Sequence, residues 1–185
     1  MYSVDLMVEE HANICRMLKV VRGACCGILE GGKVEDDDFR KMIDFIRRYA
    51  DEHHHGKEEK FLFPEMTRLL GPVAENLVTH GMLVEHNLGR AHVMALETAL
   101  KLYRDEPATD HKLDAITEAM GYARLLQAHI EKENNVVYTF AERELPENAK
   151  ADIDAKSREY EARDASAAVR EKYLRLLEEL EGKYL

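Results

Sequence analysis

Two segments of this sequence place a histidine four residues before a glutamate: His54 precedes Glu58, and His129 precedes Glu133. In an α-helix, residues four apart lie side by side on one face, one turn apart. An imidazole and a carboxylate at that spacing are typical ligands of a transition-metal ion. One such pair is weak support for a metal site. Two pairs on separate predicted helices, each on the inward face, are much stronger support.

Two further histidines, His11 and His86, fall on the predicted inward faces of the first and third helices. Each of four helices then supplies one imidazole, and two helices add a carboxylate. Six polar groups in one layer of a bundle would be costly to bury without partners, and metal ions remove that cost. This donor set suits two borderline transition ions, with the carboxylates as bridges and the imidazoles as terminal ligands.

On these motifs the sequence resembles the hemerythrin-like, HHE cation-binding family. The segments that carry the resemblance span the four predicted helices: EEH at 9–11, HGKEEKFLFP at 55–64, VEH at 84–86 and HIEKENNVVY at 129–138. The di-iron domain of iron–sulfur cluster repair proteins shares the patterns H-x-x-K-E-E-x-x-L-F-P and H-x-x-x-E-N-N-V. The resemblance implies two non-haem, carboxylate-bridged iron ions, held by His11, His54, Glu58, His86, His129 and Glu133. The same donors also accept zinc or manganese.

The order of each pair distinguishes this family from another di-iron family. Ferritin-like bundles use Glu-x-x-His, whereas here the histidine comes first and the spacing is four. Within the histidine triplet, His54 shares its face with Ala50 and Glu58, and we predict that it points inward. His55 with Glu59 is the alternative pair. The histidines predicted to lie on the surface are His53, His55, His80, His92 and His111.

The third helix departs from the oxygen-carrying hemerythrins, which place two histidines four apart there. The positions four before and four after His86 are Met82 and Arg90. A fifth imidazole is therefore not supplied in the usual way, and an open coordination position favours reaction with a small ligand over oxygen storage. Cys15, one turn after His11, is either a ligand or redox partner or, as is more common, a buried structural thiol. Acidic residues beside the histidines, namely Glu10, Glu59 and Glu85, are candidates to orient the imidazoles.

Four long amphipathic segments with short connections position these residues. They run from about residue 3 or 5 to 29, from 37 to 70, from 73 to 103 and from 111 to 144, and no segment alternates like a β-strand. Pro64 should kink the second segment or end its first part. The pattern predicts an all-α, up-down-up-down antiparallel bundle over residues 1–146. A fifth helix over 147–185, with an apolar stripe at Tyr173, Leu176, Leu177 and Leu180, should pack on the bundle or form a homodimer.

Composition limits the function classes. The 185-residue chain carries a net charge of −10, which argues against binding to nucleic acid or to anionic lipid. No apolar run reaches the roughly 20 residues of a membrane span, and the first residues lack a signal-peptide pattern. Three cysteines do not form a disulfide framework, so we expect a cytoplasmic protein.

Three functional hypotheses follow. The first is a di-iron sensor or carrier that binds O2, NO or peroxide, or acts in oxidative or nitrosative stress. The second is a redox enzyme acting on peroxide or NO, or an iron donor in iron–sulfur repair. The repair proteins usually carry an N-terminal cysteine-containing domain, which this sequence lacks. The third is a structural bundle that holds zinc or no metal.

Overall fold

The computed structural model describes the backbone of residues 1–185 and every side chain except that of Asp164. These residues form six long helices and no β-strand. In chain order the helices are α1 (Tyr2–Leu29), α2 (36–69), α3 (71–105), α4 (109–144), α5 (Glu147–Glu161) and α6 (Asp164–Tyr184). The all-α prediction is confirmed, and α1 to α4 begin and end within a few residues of their predicted bounds.

Helices α2, α3 and α4 each contain π-helical turns. These turns are Ile46–His55 and Glu58–Leu62 in α2, Val78–Met82 in α3 and Glu133–Val137 in α4. A π-helical turn closes its hydrogen bonds between residues five apart instead of four, so it changes which neighbouring side chains share a face. Such turns are frequent at functional sites, and here three of the four include or begin at a histidine or glutamate of the predicted metal site.

Glycine and proline set several helix boundaries. Gly31, after α1, and Gly71, at the start of α3, have φ angles of +98° and +68°, which favour glycine. Pro64 does not end α2. It stands at the start of the α-helical stretch Phe63–Leu69, directly after a π-helical turn. Because proline has no N–H to donate to the preceding turn, a change of hydrogen-bonding pattern at this point accommodates it.

Two apolar clusters fill the core, and the chain passes between them in alternate directions. Helix α1 runs from the cluster that contains Met7 to the cluster that contains Met17, and α2 runs back from Phe39 in the second cluster to Met66 in the first. Helices α3 and α4 repeat this alternation. The bundle is therefore up-down-up-down, as predicted, and the predicted metal residues lie between the two clusters.

The C-terminal segment forms two helices where the sequence pattern predicts one. The chain breaks at Ala162 and Arg163, and Arg163 has an extended backbone. No glycine or proline occurs between residues 147 and 181, so local composition gives no signal for this break. The break lets α5 add Ile153 to the cluster of Met7, while α6 adds Leu177 to the cluster of Met17.

Helices α5 and α6 pack on the α1 and α2 side of the bundle. Tyr173, Leu177 and Leu180 are buried there, so most of the predicted apolar stripe is covered within the chain. Polar contacts hold the same face: Arg16 of α1 binds Glu181 at 2.6 Å. A Cβ at Gly23 of α1 would overlap the carbonyl oxygen of Tyr184, which is why glycine is required at this close approach. The division into domains at residue 146 stays a prediction.

Truncation of Leu177 tests this packing. Its side chain is fully buried, so Leu177→Ala should lower the free energy of unfolding by about 2–5 kcal/mol. The control is Leu113→Ala on α4, where the side chain is 58% exposed, and it should change the free energy by less than about 0.5 kcal/mol. Urea unfolding followed by circular dichroism measures both. Equal stability of the two variants would mean that α6 does not pack as described.

Candidate functional site

The structure brings all six predicted metal residues into one buried layer between the apolar clusters. His11 comes from α1, His54 and Glu58 from α2, and Glu133 from α4, and their ligand atoms lie within 4.8 Å of one another. A second group beside the first brings together one histidine each from α2, α3 and α4, again within 4.8 Å: His55, His86 and His129.

The two glutamates lie between the two groups of histidines. Glu133 Oε2 is 3.2 Å from the Nε2 atom of His11 in the first group, and its Oε1 is 3.1 Å from that of His129 in the second. Glu58 Oε2 is 3.9 Å from the Nε2 atom of His54 and 3.5 Å from that of His86. Each carboxylate therefore faces an imidazole of both groups, which is the placement that a bridge between two ions requires.

Most of these inward-facing atoms have no hydrogen-bond partner among the described residues. Five of the six buried side-chain atoms without a partner belong to this layer: His11 Nε2, His54 Nε2, Glu58 Oε2, and Glu133 Oε1 and Oε2. Leaving a buried polar atom unpaired costs about 1–3 kcal/mol, and more for a charged group. Nitrogen and carboxylate donors that converge without partners fit a pair of transition-metal ions.

The outward-facing Nδ1 atoms, in contrast, are all hydrogen-bonded to oxygen. Three of the acceptors are the carboxylates that the sequence predicted for this role, and these pairs are His54 with Glu10 at 2.8 Å, His86 with Glu59 at 2.7 Å and His129 with Glu85 at 2.9 Å. The sequence analysis missed two further acceptors, which form the pairs His11 with Asn134 Oδ1 at 2.8 Å and His55 with Asp51 at 3.3 Å.

These outer hydrogen bonds fix the tautomer of each ring. A carboxylate only accepts, so the Nδ1 atoms of His86 and His129 carry a hydrogen, and in the neutral rings both Nε2 atoms present lone pairs. The two Nε2 atoms lie 3.1 Å apart. Lone pairs at that separation repel unless a cation or a proton lies between them. Metal-ligating histidines ordinarily show this pattern, with Nδ1–H held by a carboxylate and Nε2 directed at the metal.

Two histidines predicted to lie on the surface are buried instead. His55 is 6% exposed, and its ring stacks on that of His86 with centroids 3.8 Å apart. His53 is 3% exposed and lies in a separate polar cluster with Glu10 and Glu161. The predictions assumed α-helical spacing, whereas the triplet lies in the π-helical turn Ile46–His55, where both His54 and His55 reach the site. The fifth imidazole therefore comes from α2 and not from α3.

The remaining candidates lie as follows. His80 is exposed, and His92 and His111 are partly exposed, in line with their predicted surface positions. Cys15 is partly buried against the apolar core and belongs to none of the metal-competent groups among the described residues, which fits the structural role.

Tyr138 contacts a glutamate and a histidine of the layer. Its hydroxyl donates to Glu58 Oε1 at 2.6 Å, and its ring stacks on that of His11 with centroids 5.5 Å apart. One oxygen of Glu58 is thus held by the protein while the other faces the histidines. The sequence ends the HIEKENNVVY motif on this tyrosine, but only the fold places it against Glu58.

Burial shapes the electrostatics of the layer. Burial and the neighbouring charge of His11 lower the pKa of His54 to about 4, so this imidazole is neutral and its lone pair available at neutral pH. Burial and the negative charge of Glu133 raise the pKa of Glu58. Burial also opposes ionisation of Glu133, but His129 and His11 hold its pKa low. A cation between the two glutamates would favour the ionised form of both.

A cavity of about 210 Å³ borders the layer on the side of His55 and His86. Apolar side chains form most of the wall area, and they include Ile46, Val93, Met94, Tyr122 and Leu126. Charged side chains also line the cavity, namely Arg47, Asp51, Glu85 and Arg90. An engineered apolar cavity of about 150 Å³ admits benzene, so this volume is ample for diatomic molecules or peroxide.

Residues 2–141 match the hemerythrin HHE cation-binding domain. Uncharacterized proteins of Mycobacterium bovis and of two strains of Mycobacterium tuberculosis are each 26% identical to the chain over 137 residues. These matches cover 72% of this chain and 51% of each relative, so the chain spans about half the length of the curated relatives it matches. No solved structure is significantly similar to the chain. The chain belongs to the hemerythrin HHE cation-binding domain family.

Proposed function

We propose that this protein holds two non-haem iron ions and binds or reacts with a small ligand, namely O2, NO or peroxide. The observation that carries the proposal is the convergence of five imidazoles and two carboxylates in one buried layer. The ligand set is the one that the sequence predicted, extended by one residue: His11, His54, His55, Glu58, His86, His129 and Glu133.

The grouping of these residues distributes the ligands unequally. His55, His86 and His129 would hold one ion, whereas His11 and His54 would hold the other, and Glu58 and Glu133 would bridge the two. When bound, the iron pair would supply the site at which the small ligand binds or is reduced. The ion with two imidazoles has fewer protein ligands, which leaves it more room for that ligand.

Iron fits this donor set better than zinc does. Structural zinc sites are four-coordinate and closed, and most of them use cysteine. Here seven imidazole and carboxylate groups would serve two ions, and the three cysteines, Cys15, Cys25 and Cys26, are free and outside the layer. Manganese shares the preference for carboxylates and stays the alternative that metal analysis has to separate from iron.

The chain's own residues would shape the reactivity of the site. The Tyr138 hydroxyl holds one oxygen of Glu58, so it limits how that carboxylate can move. The cavity beside His55 and His86 would admit a small ligand to that side of the layer. These features support a sensor, a carrier or a redox enzyme alike, and ligand reactivity distinguishes between them.

No helix of the described residues combines the length and the apolar character that crossing a bilayer requires. A cytoplasmic location, the absence of nucleic-acid partners and a role in oxidative or nitrosative stress stay predictions. A homodimer through α6 also stays a prediction, and it would have to use the exposed face of that helix.

Metal analysis tests the ligand set. Protein produced in iron-replete cells should contain about two iron ions per chain, and His54→Ala and Glu133→Ala should each lose most of that iron, because each change removes a buried donor. Elemental analysis by mass spectrometry measures the content and separates iron from zinc and manganese. Little metal in the parent protein, or equal metal in all three, would contradict the proposal.

His55 gives a sharper test, because only the fold assigns it to the site. His55→Ala should lower the iron content, by up to about one ion per chain, because it removes a buried donor from one of the two ions. The matched control is His80→Ala, in which an exposed histidine of α3 is removed, and its iron content should equal that of the parent. If both variants keep full iron, His55 is a packing residue and not a ligand.

Reaction with ligands separates the functional alternatives. We expect the reduced, iron-loaded protein to change its absorption spectrum on mixing with at least one of O2, NO and hydrogen peroxide. A stable adduct that reverses on removal of the gas would identify a sensor or carrier, and repeated consumption of peroxide or NO would identify an enzyme. Absence of any spectral change or consumption with all three would refute the proposed function.

A further inference from the structure

A second buried polar cluster lies directly beside the proposed metal layer. It consists of Glu10 of α1, His53 and Lys57 of α2, and Glu161 of α5. The Lys57 side chain is 1% exposed, and its ammonium group bonds to Glu10 and, at 2.6 Å, to Glu161. The Nε2 atom of His53 lies 3.2 Å from Glu10 Oε1 and 3.1 Å from Glu161 Oε1.

This cluster is connected to a proposed metal ligand through Glu10. One oxygen of Glu10 contacts Lys57 and His53, and the other accepts the hydrogen bond from Nδ1 of His54 at 2.8 Å. Three hydrogen bonds therefore lead from Glu161, through Lys57 and Glu10, to His54. Burial alone would raise the pKa of Glu10, but the bonds from His53 and His54 and the charge of Lys57 hold it low, so Glu10 is an anion here.

Glu161 is the member that neither the predicted site nor the family match includes. The family domain covers residues 2–141, whereas Glu161 ends α5 in the C-terminal extension. Its neighbour Tyr160 covers the same cluster, with its ring centroid 5.5 Å from that of His53 and 5.7 Å from the Lys57 ammonium nitrogen. Both residues at the end of α5 thus contact groups that support His54.

We propose that Glu161 is a positioning residue for the metal site, through which the C-terminal helices set the donor strength of His54. This inference rests on the proposed function, because it needs a metal at His54. Lys57 shares its hydrogen bonds between Glu161 and Glu10. The charged carboxylate of Glu161 neutralises part of the positive charge of the Lys57 ammonium group. Glu10 therefore stays a strong acceptor for His54 Nδ1–H. A more strongly held Nδ1–H makes the Nε2 atom a better donor to the metal.

The direction of the effect follows from charge. Glu161→Gln keeps the shape of the side chain and removes one negative charge near the metal. The positive charge of Lys57 is then neutralised by Glu10 alone. Glu10 therefore accepts the hydrogen bond from His54 Nδ1–H less strongly. Both changes disfavour the more oxidised, more positive metal. The reduction potential of the iron should therefore rise, and iron affinity should fall by about tenfold, the lower end of the range for outer hydrogen-bond partners of metal ligands.

The experiment compares Glu161→Gln with Glu181→Gln in the full-length, iron-loaded protein. Glu181 is the matched control because it also joins a C-terminal helix to the bundle, through Arg16 of α1 at 2.6 Å, but Arg16 does not contact a proposed ligand. Redox titration followed by absorption gives the midpoint potential, and competition with a chelator gives the iron affinity. Thermal unfolding of the metal-free proteins measures any purely structural effect.

We expect both glutamine variants to lower thermal stability modestly, and only Glu161→Gln to raise the potential and weaken iron binding. Lys57→Met provides a second test, because removal of the positive charge should shift the potential in the opposite direction. If Glu161→Gln leaves the potential and the affinity at the parent values, or if both variants at this cluster shift the potential the same way, the inference is wrong. A parent protein without iron would instead refute the proposed function itself.

Discussion

The burial of five imidazoles and two carboxylates in one layer shapes the whole bundle. The layer separates the apolar core into two clusters, so each of the four bundle helices must change from apolar to polar and back along its inward face. Without metal, the inward atoms of His11, His54, Glu58 and Glu133 have no partners among the described residues. A cation in this layer would compensate for the desolvation of the glutamates and accept the imidazole lone pairs, so metal binding would stabilise the bundle.

The helices satisfy this constraint by two means. π-Helical turns at the site allow neighbouring residues, such as His54 and His55, to reach the layer together. An outer set of hydrogen bonds then fixes each ring by its Nδ1 atom, so that every Nε2 atom is directed inward before any metal arrives. Preorganisation of this kind lowers the ordering cost of metal binding. The properties of a bound metal would then also depend on residues that do not contact it.

The C-terminal helices contribute both to the apolar core and to the surroundings of the site. Helix α6 completes the larger apolar cluster with Leu177, whereas α5 ends on Tyr160 and Glu161 beside the partners of His54. Both helices thus combine packing with polar contacts, but the polar contacts of α5 lie beside a partner of His54. A change in α6 should act on stability alone, but a change at the end of α5 acts next to an ion pair in which Lys57 is almost completely buried, where charge is poorly screened.

Local sequence patterns are enough to predict the four bundle helices, the His-x-x-x-Glu pairs, the inward positions of His11 and His86, and the carboxylates Glu10, Glu59 and Glu85 beside the histidines. Helical periodicity and the burial cost of polar groups suffice for these features, because they depend on neighbours within one or two turns. Three other features depend on contacts between distant parts of the chain: His55 supplies the fifth imidazole, Tyr138 holds Glu58, and the chain breaks before α6. The α-helical spacing used to read the sequence does not hold in a π-helical turn. Tyr138 contacts Glu58 of α2, which lies 80 positions earlier in the chain, and Glu161 contacts Lys57 of α2, which lies 104 positions earlier. No local sequence pattern encodes such distant pairings.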